Sequence, residues 1–300
     1  MPHLTTRDGA RLHYLDVGSR RGPACVLLHG FGMQGAMWLP VIAPLLLKQR
    51  FILPDLRGFG GSHALSLSKP QLIEQHADDL ADLLDGLGLE DVRLAGLSMG
   101  ACTAMDYHAR YGFDRVHSYL HIDQAPRILN GADWQHGVLG TAQADKLADW
   151  GDLLQRLKIY RDTPFDRVPN HLRLRFWGVL ADFLGYAFSH RGWQSAARLT
   201  RHDQLAKRLV PTANWSVYVD SLRSYLEDGF DWRESLKTMD KPMTVMIGGR
   251  SAMYPAAGQR LFGEWVPHAK LIEFPTSGHV IPFESPLRFV TEFGRFLRAA

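Results

Sequence analysis

Several features are scarce or missing in this sequence, and each absence narrows the class of protein. Cysteine occurs only twice in 300 residues, which is too few for a disulfide framework and favours a reducing, cytoplasmic compartment. No apolar run approaches the ~18–20 residues that cross a bilayer, and the N-terminus lacks the apolar region and cleavage site of a signal peptide. Charge is nearly balanced, with 34 Lys+Arg against 31 Asp+Glu. We therefore expect neither nucleic acid nor a membrane as a partner.

Metal-binding and cofactor-binding motifs are also missing. The 14 histidines form no H-E-x-x-H motif and no Cys/His cluster, so the sequence predicts no metal centre. His117 and His121 are four residues apart, but they lie in a predicted strand, where that spacing does not make a convincing metal pair. The loop Asp55–Ser62 contains Gly58-Phe59-Gly60, but His63 replaces the third glycine of a dinucleotide-binding fingerprint. We predict no cofactor and interpret this loop as a structural turn.

The sequence does contain an alternation of short apolar runs with longer helical patterns. At 46% hydrophobic residues, a chain of this length is expected to bury a self-sufficient core. The apolar runs are continuous, which is typical of parallel strands covered on both faces. The predicted strands are Leu12–Val17, Ala24–Leu28, Phe51–Leu53, Val92–Leu97, Val116–Ile122, Met243–Ile247 and Lys270–Phe274, and the predicted helices include Pro70–Leu87, Ala101–Ala109 and Pro286–Leu297. The pattern predicts an α/β fold with a doubly wound, mostly parallel sheet.

The strand pattern breaks between about Pro126 and Leu236. This segment has helical periods and is far longer than a normal connection between a helix and a strand. We predict a helical cap over residues 126–236, on a core formed by residues 1–125 and 237–300, at the edge where open α/β sheets bind ligands. The segment carries six of the eight tryptophans, and any one of these is more often a packing residue than a ligand contact. They are Trp134, Trp150, Trp177, Trp193, Trp215 and Trp232.

A catalytic motif stands where a predicted strand meets a predicted helix. Residues 96–100 read Gly-Leu-Ser-Met-Gly, a G-x-S-x-G sequence in the strand-turn-helix context that the motif requires. Glycine at both ends allows the sharp turn that lifts Ser98 clear, at the N-terminus of a helix that favours negative charge. Ser98 is therefore the predicted nucleophile.

The positions of two loops predict the oxyanion hole and the general base of a serine hydrolase site. The loop His29-Gly30-Phe31 ends an apolar strand, so the Phe31 amide and the Met99 amide are the predicted oxyanion donors. His29 itself is expected to hold the loop by hydrogen bonds. His279 follows the last predicted strand and precedes the terminal helix, so it overhangs the same sheet edge as Ser98 and is the predicted general base.

Together these residues resemble the α/β-hydrolase superfamily. The resemblance covers nearly the whole chain, and its specific parts are the Ser98 motif and the terminal His279. It implies an α/β-hydrolase fold with an inserted cap. A serine in the motif speaks against haloalkane dehalogenases and epoxide hydrolases, which are similar in fold but use an aspartate nucleophile.

The sequence departs from this family at the catalytic acid. The family usually places its acid shortly after the penultimate strand, where this chain has Gly248-Gly249-Arg250-Ser251, and a serine cannot carry the charge that steadies an imidazolium. Either the triad is a dyad or the acid comes from elsewhere. The best substitute is Asp123 at the end of the preceding strand, a position that some members of the family use. The alternative role for Asp123 is to cap the start of the helical segment.

The leading functional hypothesis is a cytoplasmic serine esterase acting on a small, apolar substrate, with lactonase, thioesterase and carbon–carbon bond hydrolase left open. The Asp123 position also resembles cofactor-independent quinolone dioxygenases, in which the Asp–His pair removes a proton from the substrate. A third reading is a signal receptor of the same fold with slow turnover. A basic set in the cap is consistent with an anionic substrate but is more often a solvated helix face; it comprises Arg156, Lys158, Arg161, Arg167, Arg173 and Arg175. The oligomeric state is not predicted.

Overall fold

The structure is a computed structural model that describes residues 2–299 except 191, 193, 196–200, 202, 203, 205 and 208–211. Trp193, one of the six tryptophans of the predicted cap, therefore lies outside the described residues. The named strands form one eight-stranded sheet in the order β1-β2-β4-β3-β5-β6-β7-β8. They are β1 (His3–Thr5), β2 (Arg11–Gly18), β3 (Ala24–Leu28), β4 (Arg50–Pro54), β5 (Val92–Leu97), β6 (Val116–Ile122), β7 (Met243–Gly248) and β8 (Lys270–Phe274). Strands β3 to β8 are parallel, and β2 is antiparallel to both β1 and β4.

Helices cover both faces of this sheet, which confirms the predicted doubly wound α/β fold. Those named are α1 (Leu39–Ile42), α2 (Leu72–Gly86), α3 (Met99–Tyr111), α4 (Gln143–Leu157), α5 (Asn170–Ala187), α6 (Trp215–Glu227), α7 (Arg233–Leu236), α8 (Ala256–Arg260), α9 (Phe262–Trp265), α10 (Ile281–Glu284) and α11 (Pro286–Arg298). Strand β3 is buried along its whole length. Its alternate residues face opposite sides: Val26 and Leu28 join the core under α2 and α3, whereas Cys25 and Leu27 join the core under α1 and α11.

A long helical region is inserted between β6 and β7 and contains α4 to α7. Its two ends are joined by an antiparallel bridge between Arg127 and Asp231. The Ile128 amide donates to the Phe230 carbonyl at 3.1 Å, next to this bridge. The assignment of residues 126–236 to a separate cap domain stays a prediction. The bridge that joins the two ends of the region supports it.

The tryptophans of the inserted region are packing residues. Each of the five that the structure describes has 3% or less of its surface exposed. Trp177 and Trp215 contact the ring of Phe165 at centroid distances of 5.0 and 5.6 Å. Trp232 anchors the region to the core, because its indole N–H donates to Asp106 Oδ1 on α3 at 3.0 Å. These side chains stabilise the insertion, and none of them lines the cavity that contains Ser98.

The described part of the chain has neither a membrane-spanning helix nor a cluster of metal ligands. Its helices contain no segment with the length and hydropathy needed to cross a membrane. Its His, Cys, Asp and Glu side chains form no group of three or more that could hold a metal ion. His121 is instead hydrogen-bonded to the Tyr119 hydroxyl and the Gln124 carbonyl, which is a structural role.

Buried histidines make the fold sensitive to acid. His29, His76 and His121 have no exposed surface. Burial lowers the pKa of all three histidines. The pKa falls to about 3 for His76 and to about 4 for His121. Below pH 6.5 the unfolded chain binds protons that the folded chain does not, so stability is lost as the pH falls from about 6.5. Between pH 7.5 and 5.5 we expect His76 and His121 together to lower the free energy of unfolding by about 3 kcal/mol, measured by urea denaturation, and His29 acts in the same direction.

The His76→Gln variant is the matched control for this expectation. The Gln amide can still donate to the Arg57 carbonyl, which His76 Nε2 reaches at 3.0 Å, but it does not titrate. The variant is expected to lose about 1.4 kcal/mol less than the wild type over the same pH interval. Equal losses in the two proteins would contradict the assignment of this acid sensitivity to His76.

Candidate active site

Ser98 lies in a strained turn between β5 and α3. Its backbone has φ 54° and ψ −119°, an unusual conformation for a residue other than glycine, and such strain persists only where the surroundings enforce it. The neighbouring glycines at positions 96 and 100 allow the surrounding backbone to approach closely enough to hold this turn. A Cβ on Gly96 would lie 2.5 Å from the Gly100 carbonyl oxygen, and one on Gly100 would lie 2.4 Å from the Leu28 carbonyl oxygen. The turn therefore requires both glycines of the G-x-S-x-G sequence.

His279 lies on the loop after β8, where it contacts the carboxylate of Asp123. Its Nδ1 is 2.7 Å from Asp123 Oδ2, and both side chains are almost fully buried. A carboxylate at Nδ1 holds the ring with its proton on that nitrogen, so Nε2 is the basic nitrogen. His279 and Ser98 line the same cavity. The structure thus brings together the three residues that the sequence predicts as nucleophile, base and acid.

Asp123 accepts four hydrogen bonds and has no exposed surface. Its Oδ1 accepts from the Gly248 amide at 2.7 Å and from Gln259 Nε2 at 3.0 Å. Its Oδ2 accepts from His279 Nδ1 and from the Ser251 hydroxyl, each at 2.7 Å. None of these donors comes from the inserted helical region, so Asp123 does not cap the start of that region. Four donors on one carboxylate fix its orientation.

The loop after β3 brings Phe31 to the cavity that also contains Ser98. His29 holds this loop, since its Nδ1 donates to the Gly30 carbonyl at 2.8 Å and its Nε2 accepts from the Leu56 amide at 3.0 Å. Among the hydrogen bonds of the described residues, none involves the amide of Phe31 or of Met99. The two amides are therefore available for the predicted role as oxyanion donors.

The cavity above Ser98 is small and mostly apolar. Its volume is about 270 Å³. Aromatic and aliphatic side chains come from the core loops and from the end of α5, and they are Phe31, Met33, Met37, Phe183, Leu184, Phe188, Val280 and Phe283. Of the described residues at its wall, the ionisable ones are His279 and Glu284. A wider groove of about 820 Å³ lies on the inserted region, but it contains none of the three predicted catalytic residues.

Comparison with known proteins identifies the family. The sequence pattern of the alpha/beta hydrolase fold matches residues 23–286. The chain belongs to the alpha/beta hydrolase family. The non-heme chloroperoxidase CPO-A1 of Kitasatospora aureofaciens is 27% identical to this hydrolase over 286 residues, covering 94% of this chain and 93% of that protein.

Esterases are also among the similar proteins. The pimeloyl-(acyl-carrier protein) methyl ester esterase of Xanthomonas campestris pv. campestris is 29% identical over 264 residues, covering 87% of this chain and 89% of that protein. An esterase from Exiguobacterium antarcticum has a TM-score of 0.77 at 20% identity, covering 99% of both chains, and shows a shared fold. At the level of class, this chain is a serine hydrolase of the alpha/beta fold.

The basic set of the inserted region does not reach the cavity of this hydrolase. Four of the six cations form ion pairs with neighbouring aspartates: Arg156 with Asp152, Arg161 with Asp220, Arg173 with Asp166, and Arg175 with Asp149 and Asp152. None of the six lines the cavity. The structure therefore gives them no role in attracting an anionic substrate to Ser98.

Two residues that the sequence does not predict orient Asp123, the predicted acid. Ser251 stands where the family usually has its acid, and its hydroxyl donates to the carboxylate of Asp123. Because a serine is unusual at that position, the sequence did contain a signal that marks Ser251. Gln259 lies on α8 and donates to Asp123 across 136 positions of the chain. No motif marks Gln259, so the sequence held no signal for it.

Proposed function

We propose that this hydrolase cleaves a carboxylic ester of a small, apolar acid through an acyl-enzyme on Ser98. The observation that carries the proposal is the pairing of His279 Nδ1 with Asp123 at 2.7 Å, beside a cavity that also contains Ser98. A base held in this way has its other nitrogen available to accept the proton of a serine hydroxyl.

The reaction has two halves. In the first, His279 Nε2 accepts the Ser98 proton while Ser98 Oγ attacks the ester carbonyl, and the Phe31 and Met99 amides stabilise the oxyanion. His279 then donates this proton to the leaving alcohol. In the second half, His279 activates a water molecule that hydrolyses the acyl-enzyme. Asp123 stabilises the imidazolium in both halves.

The chemistry of the cavity supports an apolar acyl or aryl group. Its wall is built mainly from aromatic and aliphatic side chains, which favour ligands that leave water readily. Its volume of about 270 Å³ supports a small group rather than a long fatty chain.

A series of p-nitrophenyl esters from acetate to dodecanoate tests this proposal. We expect kcat/KM to peak at short or medium acyl length and to fall at least about tenfold at dodecanoate, because extra methylenes find no space. Phe183 lines the cavity and contacts the Phe31 ring at 5.2 Å. Phe183→Ala is therefore expected to shift the optimum toward longer chains. Leu174→Ala is the matched control, because Leu174 lies on the same helix but is 45% exposed and away from the cavity.

The same assay separates the two alternatives. The absence of hydrolysis for every ester would contradict the proposal. Oxygen consumption with hydroxyquinolones would then favour a dioxygenase that uses the His279–Asp123 pair. A shift in melting temperature with a ligand, without accumulation of product, would favour a receptor.

A further inference from the structure

Glu284 is the charged wall residue that the proposed mechanism does not use. It is the last residue of α10, and its carboxylate is held by three donors. Oε1 accepts from the amide and the hydroxyl of Ser189 at 2.7 and 2.9 Å, and Oε2 accepts from the Gly278 amide. These bonds join the chain just after α5 to the loop that carries His279. The carboxylate therefore has a fixed position at the cavity wall.

Among the residues that the structure describes, no Lys or Arg lines the cavity to balance this charge. Apart from Ser98, His279 and Glu284, the described residues that line it contribute apolar side chains or glycine backbone. The three donors on Glu284 are amides and a hydroxyl, which solvate the carboxylate but leave its net charge in place. The site therefore presents a fixed negative charge to whatever occupies it.

A second carboxylate in this cavity would meet two penalties. It would lose its water without gaining a Lys or Arg partner from the described residues of the lining. It would also be repelled by Glu284, a partly buried carboxylate at the wall of the same cavity. A cationic group would meet only the first penalty and would be attracted by Glu284.

We propose that Glu284 is a specificity-determining residue that makes this site select neutral ester substrates and discriminate against those that carry a carboxylate. The inference rests on the proposed esterase function. It narrows the substrate class to esters of uncharged acids and alcohols, and it ranks cationic esters above anionic ones.

Three esters of matched acyl length test the proposal on the wild-type protein. They are p-nitrophenyl hexanoate, p-nitrophenyl 6-(trimethylammonio)hexanoate and the mono-p-nitrophenyl ester of adipic acid. We expect kcat/KM to be highest for the neutral ester, and to be at least about tenfold higher for the cationic ester than for the anionic one. Hydrolysis of the anionic ester as fast as the cationic one would overturn the role of Glu284.

The Glu284→Gln variant isolates the charge. It is expected to reduce the cationic-to-anionic ratio of kcat/KM about tenfold, toward one. All three esters use the same base. A disturbance of the His279 loop would therefore change kcat/KM by the same factor for each ester and leave their ratio unchanged. Glu292→Gln is the control for net charge, since Glu292 lies on α11 in an ion pair with Arg295, and it should leave the ratio unchanged.

The remaining outcomes are distinct. An unchanged ratio in Glu284→Gln would overturn the proposal while leaving the esterase function intact. A protein that hydrolyses none of the three esters would overturn the esterase function and this inference with it. Should the variant fail to fold, the cationic-to-anionic ratio of the wild type decides the question.

Discussion

The Ser98→Ala variant is expected to lose at least about 10³-fold in kcat toward p-nitrophenyl esters. Alanine has no oxygen with which to form the acyl-enzyme, and only the oxyanion donors and substrate binding remain. The fold should be unaffected, because alanine keeps the Cβ that the turn at φ 54° already accommodates. Steady-state kinetics and a thermal melt of the same preparation measure both effects.

A fluorophosphonate probe gives a second measurement that is independent of substrate choice. It is expected to label the wild-type protein at Ser98 and to leave Ser98→Ala unlabelled. Ser118→Ala is the matched control, since Ser118 is a buried serine on β6 whose hydroxyl has no hydrogen-bond partner. Full activity in Ser98→Ala, or loss of activity in Ser118→Ala, would contradict the assignment of the nucleophile.

The Asp123→Asn variant is expected to lose about 10³- to 10⁴-fold in kcat. All four partners of the carboxylate donate hydrogen bonds to it, and an amide nitrogen in place of one oxygen would face two donors. Facing His279, it would also favour the wrong tautomer of the imidazole. The measurement is kcat with the best ester of the acyl series.

Ser251→Ala is the comparison that decides between the two positions for the acid. It removes one of four donors from Asp123 but no charge, so we expect a loss of less than about tenfold. Greater damage from Ser251→Ala than from Asp123→Asn would refute Asp123 as the acid. Both variants should be compared at equal folded fraction, because Asp123 is fully buried.

Much of the sheet could be predicted from the sequence, because its strands are continuous apolar runs bounded by turn residues. The predicted bounds of β3, β5, β6 and β8 are those of the structure. Strand β1 was missed. It has only three residues and no apolar run of its own, and it exists because it pairs with β2. Such a strand has no local signal.

The site was predictable where its chemistry is local and unpredictable where it depends on tertiary contact. Ser98 lies in a contiguous motif, and the place of His279 follows from the order of the strands. The contacts of Gln259 with Asp123 and of Glu284 with Ser189 join residues 136 and 95 positions apart. Pairings of this kind depend on how the helices settle on the sheet, and spacing along the chain does not encode them.

The bridge between Arg127 and Asp231 has a consequence for how this protein could have evolved. The bridge closes the chain between Arg127 and Asp231 at its base, so these two points stay together whatever length of chain lies between them. The entropy of closing that connection is then nearly independent of what the insertion contains. Substrate preference can drift through exchange of the inserted helices while β6 and β7 keep their register, so one catalytic core can serve a succession of chemistries.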